Sequence, residues 1–144
     1  MELNFSIATD YRVAKLETDR RPKVLIIDDD EAIVEAVRYN LQKAGFRVVA
    51  HTKSLGAMST IMDERPNLIL LDIKMPLLDG PMLCRLVQKN QMLSGTPILL
   101  YSSLSEKQLS KSAAECRVQD YIKKSSGMTQ VVKKVSKYFA PNPQ

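Results

Sequence analysis

Residue types able to do chemistry fall at four places in this sequence. Asp28-Asp29-Asp30 is an acidic triplet behind Val24 to Ile27, Asp72 follows Leu68 to Leu71, Ser102 follows Ile98 to Tyr101, and Lys123-Lys124 follows Val118 to Ile122. Carboxylates brought together repel: a pair about 4 Å apart at an effective dielectric of about 20 costs on the order of 4 kcal/mol. A hard divalent cation with oxygen ligands would relieve that cost. Mg2+ suits the task, because it takes one or two carboxylates and fills its shell with waters and phosphate oxygens. Asp28, Asp29 and Asp72 are the candidate ligands, whereas Asp30 is expected to cap a helix. An aspartate facing a metal, a lysine and a hydroxyl has the parts of a phosphoryl acceptor. Asp72 would be the nucleophile, Mg2+ and Lys124 would hold equatorial oxygens, and Ser102 would hydrogen-bond a third.

That convergence requires a particular scaffold, and the apolar pattern supplies one. Five short apolar runs, Val24–Ile27, Phe46–Ala50, Leu68–Leu71, Ile98–Tyr101 and Val118–Ile122, alternate with helix-period segments. Runs so uniformly apolar suit strands covered on both faces, as in a parallel sheet. Helices are expected within Asp30–Gly45, with Gly45 ending the first, and over Ser54–Arg65, Pro81–Asn90, Glu106–Cys116 and Thr129–Phe139; Pro66 and Pro97 mark strand entries. Five successive βα units imply a doubly wound five-stranded α/β fold, since right-handed crossovers place helices on both faces. In such sheets ligands bind at the carboxyl ends of the strands, where the four groups fall.

Residues 23–139 form this unit. Residues 1–22 stand outside the rhythm as an extension of uncertain structure, with strand-like and helix-like readings of Leu3 to Ala14 both open, and 140–144 are a tail. No apolar stretch nears a membrane span, the start does not read as a secretory signal, and Cys84 and Cys116 have no framework or metal-ligand spacing, so a soluble cytoplasmic protein without membrane insertion is expected. The net charge of +5 is concentrated: residues 105–144 carry eight Lys/Arg against three Asp/Glu, while the preceding residues balance. Lys107, Lys111, Lys133 and Lys137 are therefore candidates for a face that meets an acidic protein, against the plainer reading that Lys133, Lys134 and Lys137 are the solvated side of the last helix. Direct nucleic-acid binding would need a recognition helix or basic arm, and the sequence encodes neither.

Four segments, KVLIIDDDEAI, NLILLDIKMPLLDG, TPILLYSS and DYIKK, occur in order with 30 residues from Asp72 to Ser102 and 22 from Ser102 to Lys124. On these segments the chain resembles a receiver domain of bacterial two-component response regulators, a flavodoxin-like (βα)5 family. The resemblance implies that Asp28 and Asp29 are the metal-binding acidic pair, Asp72 the phosphorylated aspartate, Ser102 the switch hydroxyl, Tyr121 the switch aromatic and Lys124 the phosphate-facing lysine. It implies Mg2+ as cofactor, a sensor histidine kinase or phosphotransfer protein as donor, and a downstream protein target. The chain is then expected to be a single-domain regulator without an output domain, a phosphoacceptor and not an enzyme on other substrates. The alternative is a receiver-fold interaction module that signals without phosphorylation.

Departures from the family pattern carry expectations of their own. Ser125 stands where proline usually follows the lysine, often after a cis bond that would cost a non-proline residue about 2.5 to 4 kcal/mol, so the loop after the fifth strand should differ. Ser103 replaces a commoner alanine or glycine, a small change that should leave the pocket open. Lys74, two residues past Asp72, is long enough to shield an acyl phosphate or reach it. A phosphatase with an aspartyl-phosphate intermediate would want a second acid at that position. A nucleotide or flavin carrier would want a glycine-rich cradle where the acidic triplet stands. His51, the only histidine, has no ligand partners near it in sequence and is expected to be exposed.

Overall fold

In the computed structural model, residues 19–141 are described. Five strands, β1 (Lys23–Ile27), β2 (Arg47–His51), β3 (Leu68–Leu71), β4 (Ile98–Ser102) and β5 (Asp120–Lys123), alternate with helices α1 (Glu31–Lys43), α2 (Ala57–Glu64), α3 (Gly80–Lys89), α4 (Glu106–Cys116) and α5 (Met128–Lys137). The strands pair in parallel in the order β2-β1-β3-β4-β5. β1 therefore lies between β2 and β3, and the order reverses beside it, which places the β1 and β3 termini at the topological switch point of the sheet.

Alternation along the strands sends side chains into two cores. Leu25, Ile27, Ile69, Leu71, Ile98 and Leu100 pack against Ala57 and Ile61 of α2, Leu83, Cys84 and Val87 of α3, and Leu109, Ala113 and Cys116 of α4. Val24, Ile26, Leu68, Leu70, Leu99 and Ile122 pack on the opposite face against Val34, Val37 and Leu41 of α1 and Val131 and Val135 of α5. Burial on both faces explains why the runs of the three central strands, Val24–Ile27, Leu68–Leu71 and Ile98–Tyr101, hold no charged residue, whereas the edge strands admit Arg47 and Asp120. The chemistry-bearing side chains begin where the strands leave this double cover.

Helix ends follow local rules. Asp30 caps α1 by accepting from the Ala32 and Ile33 amides, Asp79 caps α3 by accepting from Met82, and Ser105 forms a reciprocal capping box with Gln108 on α4. Several boundaries differ from the sequence reading. α2 starts at Ala57 and not at Ser54, because Gly56 is left-handed at φ 80° and the Ser54 hydroxyl is engaged with the Pro76 carbonyl. β5 starts at Asp120 and not at Val118: Arg117 turns left-handed at φ 56°, and the Val118 amide still closes the end of α4 on Ala113 O at 3.0 Å. β2 begins one residue later than Phe46 and runs on to His51.

The ambiguous stretch from Leu3 to Ala14 lies outside the described residues. Residues 19–22 are tied to the sheet: Asp19 pairs with Arg21 at 3.0 Å and Arg47 at 3.7 Å, and the Arg47 amide donates to Pro22 O at 2.9 Å. The hydrogen bond and charge of Arg21 hold the Asp19 carboxyl down at about 2. His51 corrects an expectation. It is half-buried, with Nε2 2.8 Å from Leu55 O and Nδ1 2.8 Å from the Thr60 hydroxyl, so both ring nitrogens serve the β2–α2 connection.

Candidate acidic phosphoacceptor site

β1 ends at Ile27, and the next residue, Asp28, is fully buried. Its Oδ1 accepts from the Asp30 amide at 3.0 Å, while Asp29 points outward from the same turn. β3 delivers Asp72, 5% exposed, whose Oδ1 accepts from the Lys74 amide at 2.9 Å. One carboxylate oxygen from each of Asp28, Asp29 and Asp72 lies within 4.8 Å of the others. The three expected carboxylates thus meet through ordinary adjacency of β1 and β3, whose register sets Ile27 beside Leu71.

Lys124, just beyond β5, crosses the mouth of this cluster. Its Nζ is 2.7 Å from Asp28 Oδ2 and 3.1 Å from Asp72 Oδ2. Burial pushes the Asp28 carboxyl up, against the opposing pull of Lys124 and the Asp30 amide. Burial likewise opposes the Lys124 charge, but its two carboxylate partners outweigh it and the ammonium is held above its ordinary range. One ammonium faces three carboxylates, so the cluster keeps an excess of negative charge.

Two oxygens here lack a hydrogen-bond partner among the described residues. Asp28 Oδ2 is buried with no aligned donor despite the nearby ammonium, and the fully buried Ser102 hydroxyl at the end of β4 is also unpartnered. Such groups are costly unless something else completes them. An oxygen-seeking divalent cation fits the first, since the donor set is all carboxylate, and an incoming anion fits the second. Asp28, Asp29 and Asp72 are the residues that would hold the metal.

Lys124 reaches the cluster without proline behind it. All described peptide bonds are trans, and residues Lys124–Ser126 form a single 3-10 turn closed by the Ser126 hydroxyl on Lys123 O at 2.6 Å. The Lys74 side chain is exposed, and it is the backbone amide of this residue that engages Asp72. Tyr121 is half-buried, and its hydroxyl donates to Glu106 of α4, which raises the phenol's pKa. Lys134 is not a solvated lysine of α5, as its position suggested. It donates to Asp120 Oδ1 at 2.8 Å and Tyr121 O at 2.7 Å, and its Nζ stands 5.6 Å from the Tyr121 ring centroid.

Sequence reasoning missed Glu106, Lys134 and Tyr101. The first two act across elements, so no short motif announces them, although Glu106 sits inside the S-x-x-Q capping box that fixes where α4 starts. Tyr101 is 1% exposed, its hydroxyl has no partner among the described residues, and Lys124 Nζ lies 5.6 Å from its ring centroid. Because a buried unpaired hydroxyl costs about 1 to 3 kcal/mol while the ring alone keeps the packing and the cation contact, Tyr101→Phe should raise the urea midpoint or leave it unchanged. A clear fall would show that a buried water completes the hydroxyl.

The family model described as "Response regulator receiver domain" matches residues 24–136. The chain belongs to that family. Among curated relatives, the Bacillus subtilis alkaline phosphatase synthesis regulator PhoP is 31% identical over 71% of this chain and 42% of its own length. Pseudomonas aeruginosa protein PilG is 37% identical over 56% of this chain and 60% of its own. The chain spans about half the length of the curated relatives it matches. Among solved structures, the beryllofluoride-activated receiver domain of Klebsiella pneumoniae RstA is 28% identical, with a TM-score of 0.72 covering 83% of this chain and 99% of that one. A response regulator from Chloroflexus aurantiacus shares the fold at a TM-score of 0.76 and 24% identity, covering 85% and 100%. The (βα)5 receiver fold expected from the sequence is the fold observed, and phosphorylation-mediated signalling is the activity of the family as a class.

Proposed function

We propose that this receiver takes a phosphoryl group on Asp72 from a phosphohistidine of a sensor kinase or phosphotransfer protein, in an Mg2+-dependent step, and signals by a change in a protein-docking face. The observation that carries the reading is the meeting of Asp28, Asp29 and Asp72 within 4.8 Å beneath Lys124, with an unpartnered Ser102 hydroxyl at the adjacent strand end. A carboxylate oxygen of Asp72 attacks phosphorus, a P–O bond forms, and the P–N bond to the donor imidazole breaks. Bound Mg2+ supplies positive charge against the carboxylates and the phosphoryl oxygens. Lys124 shifts its ion pair from Asp72 to the arriving phosphoryl group, and Ser102 donates to another phosphoryl oxygen. Hydrolysis of the same bond ends the signal, so the domain acts as a phosphoacceptor.

The test is the intact mass of the full chain after incubation with acetyl phosphate. One added phosphoryl group is expected with millimolar Mg2+ and none with excess EDTA. Labelling that ignores EDTA would remove the metal from the reading; no labelling under any donor would favour an interaction module that works without phosphorylation.

Movement of Ser102 toward a phosphoryl oxygen would open space behind it, and Tyr121 is the aromatic placed to respond, by leaving Glu106 for an inward position. α4, β5 and α5 then form the face that a protein partner reads, with exposed Lys107, Lys111, Lys133 and Lys137 meeting acidic residues. Adding Mg2+ and beryllofluoride should shift the amide resonances of Tyr121 and of α4 in a 15N spectrum. Shifts confined to the acidic cluster would sink the switch.

A further inference from the structure

Cys84 and Cys116 are 32 residues apart in sequence but share one buried spot between α3 and α4. Gly80, Cys84 and Gln88 recur every four residues, so they line one stripe of α3. Both ends of that stripe touch Cys116: a Cβ built on Gly80 would lie 3.9 Å from Cys116 Sγ, and Gln88 Nε2 donates to Cys116 O at 3.1 Å. Cys84 lies midway between them on the same stripe, so its side chain faces Cys116. Cys84 and Cys116 are 0% and 2% exposed, and both are free thiols.

Buried cysteines ordinarily behave as small apolar side chains. This pair has a route to solvent. A groove of about 390 Å³ between the start of α3 and the end of α4 is lined by Gly80, Pro81, Leu104, Glu115 and Cys116, and a second of about 260 Å³ reaches Cys116 from the Arg117 side. Cys116 therefore borders both openings while Cys84 borders neither. Each thiol perturbs the other, pulling the Cys116 pKa down and pushing the Cys84 pKa up, and Cys116 alone of the pair borders these openings, so Cys116 is the thiol that a peroxide meets first.

We propose that Cys84 and Cys116 form a reversible oxidation site, in which a small peroxide converts the pair to an intramolecular disulfide that staples α3 to the end of α4. Cys116 sulfur attacks one peroxide oxygen, the O–O bond breaks, and a sulfenic acid and one water result. Cys84 sulfur then attacks the Cys116 sulfur, the S–O bond breaks, and a second water leaves. Both thiols are oxidised, the peroxide is reduced to water, and an external dithiol reverses the change by exchange. The staple sits in the helix whose first turn holds Glu106 against Tyr121, so it would restrain the element nearest the proposed switch. The site itself stands whether or not Asp72 is phosphorylated.

The experiment treats the folded full chain with hydrogen peroxide in slight excess, then counts thiols by maleimide mass tagging in denaturant. The count should fall from two to none with a loss of two hydrogens, tryptic mapping should show Cys84 joined to Cys116, and dithiothreitol should restore both thiols. In Cys84→Ala the reaction should stop at a sulfenic acid on Cys116 that dimedone traps, whereas Cys116→Ala should leave Cys84 unreacted. Should either variant fail to fold, the wild-type map and urea midpoint decide, with the oxidised protein unfolding at higher urea. Two free thiols after treatment, a disulfide between chains, or oxidation of Cys84 first would overturn the proposal.

Discussion

With Asp72 replaced by asparagine, acetyl phosphate and Mg2+ should leave the intact mass unchanged, a complete loss of labelling against one phosphoryl group on the wild type. The amide keeps the shape of the side chain and can still accept from the Lys74 amide, so the loss would mark the missing nucleophilic carboxylate and not a disturbed loop. Persistent labelling would move the acceptor elsewhere. The same variant separates two effects on stability. Sequence reasoning alone gives a pocket of repelling carboxylates, and a gain in metal-free melting temperature when one is removed. Lys124 Nζ, 3.1 Å from Asp72 Oδ2, offsets much of that repulsion, so the gain should be small, because removing Asp72 also takes a partner from a buried ammonium. The response to Mg2+ should change more. Binding at 100 times the dissociation constant stabilises a protein by about 2.7 kcal/mol, and losing one of three charged oxygen ligands should shrink that shift. Equal Mg2+ responses in the two proteins would mean that Asp72 is no part of the metal site.

Most of the scaffold was legible because burial on both faces of a parallel sheet leaves uninterrupted apolar runs in the central strands β1, β3 and β4, and the polar residue that ends each of these marks a strand terminus. Asp28, Asp72, Ser102 and Lys124 are legible from run ends, and the structure sets Asp28, Asp72 and Lys124 in contact, with Ser102 at the end of the neighbouring strand. The remainder depended on geometry that composition does not carry. The α2 start was misplaced because a left-handed Gly56 and a hydroxyl on Pro76 O decide it, and Ser54 in isolation resembles a cap. Lys134 read as solvated because its partners, Asp120 and the Tyr121 carbonyl, lie on the strand before its helix. His51 looked exposed because Thr60 and the Leu55 carbonyl become its partners only once β2 and α2 pack. The cysteine pair shows the same limit: spacing gave no motif, while two helices packed through a glycine bring the thiols together.

Replacing Lys124 with methionine should cost about 3 to 5 kcal/mol in the metal-free protein, the range for a buried ion pair that loses one partner. For a chain of 144 residues that is a fall of roughly 10 to 20 °C in melting temperature. The cost arises at Asp28, which is fully buried and depends on the ammonium 2.7 Å away. Methionine fills most of the lysine stem's volume, so lost packing contributes little. The pH dependence identifies the cause. Burial already raises the Asp28 carboxyl, and Lys124 is the main influence opposing that rise, so the variant's Asp28 must climb further. A carboxyl whose folded pKa exceeds its unfolded value of about 3.9 lets the native state hold the extra proton between the two values. Its stability is fully present below the unfolded value and is lost as pH rises through the folded one. The deficit against wild type, measured by urea denaturation in EDTA, should therefore be larger at pH 8 than at pH 5. Millimolar Mg2+ should recover part of it at pH 8, because a divalent cation can replace the missing ammonium as counter-charge for Asp28. A deficit independent of both pH and Mg2+ would assign the loss to packing and leave Asp28 without the role given to it here.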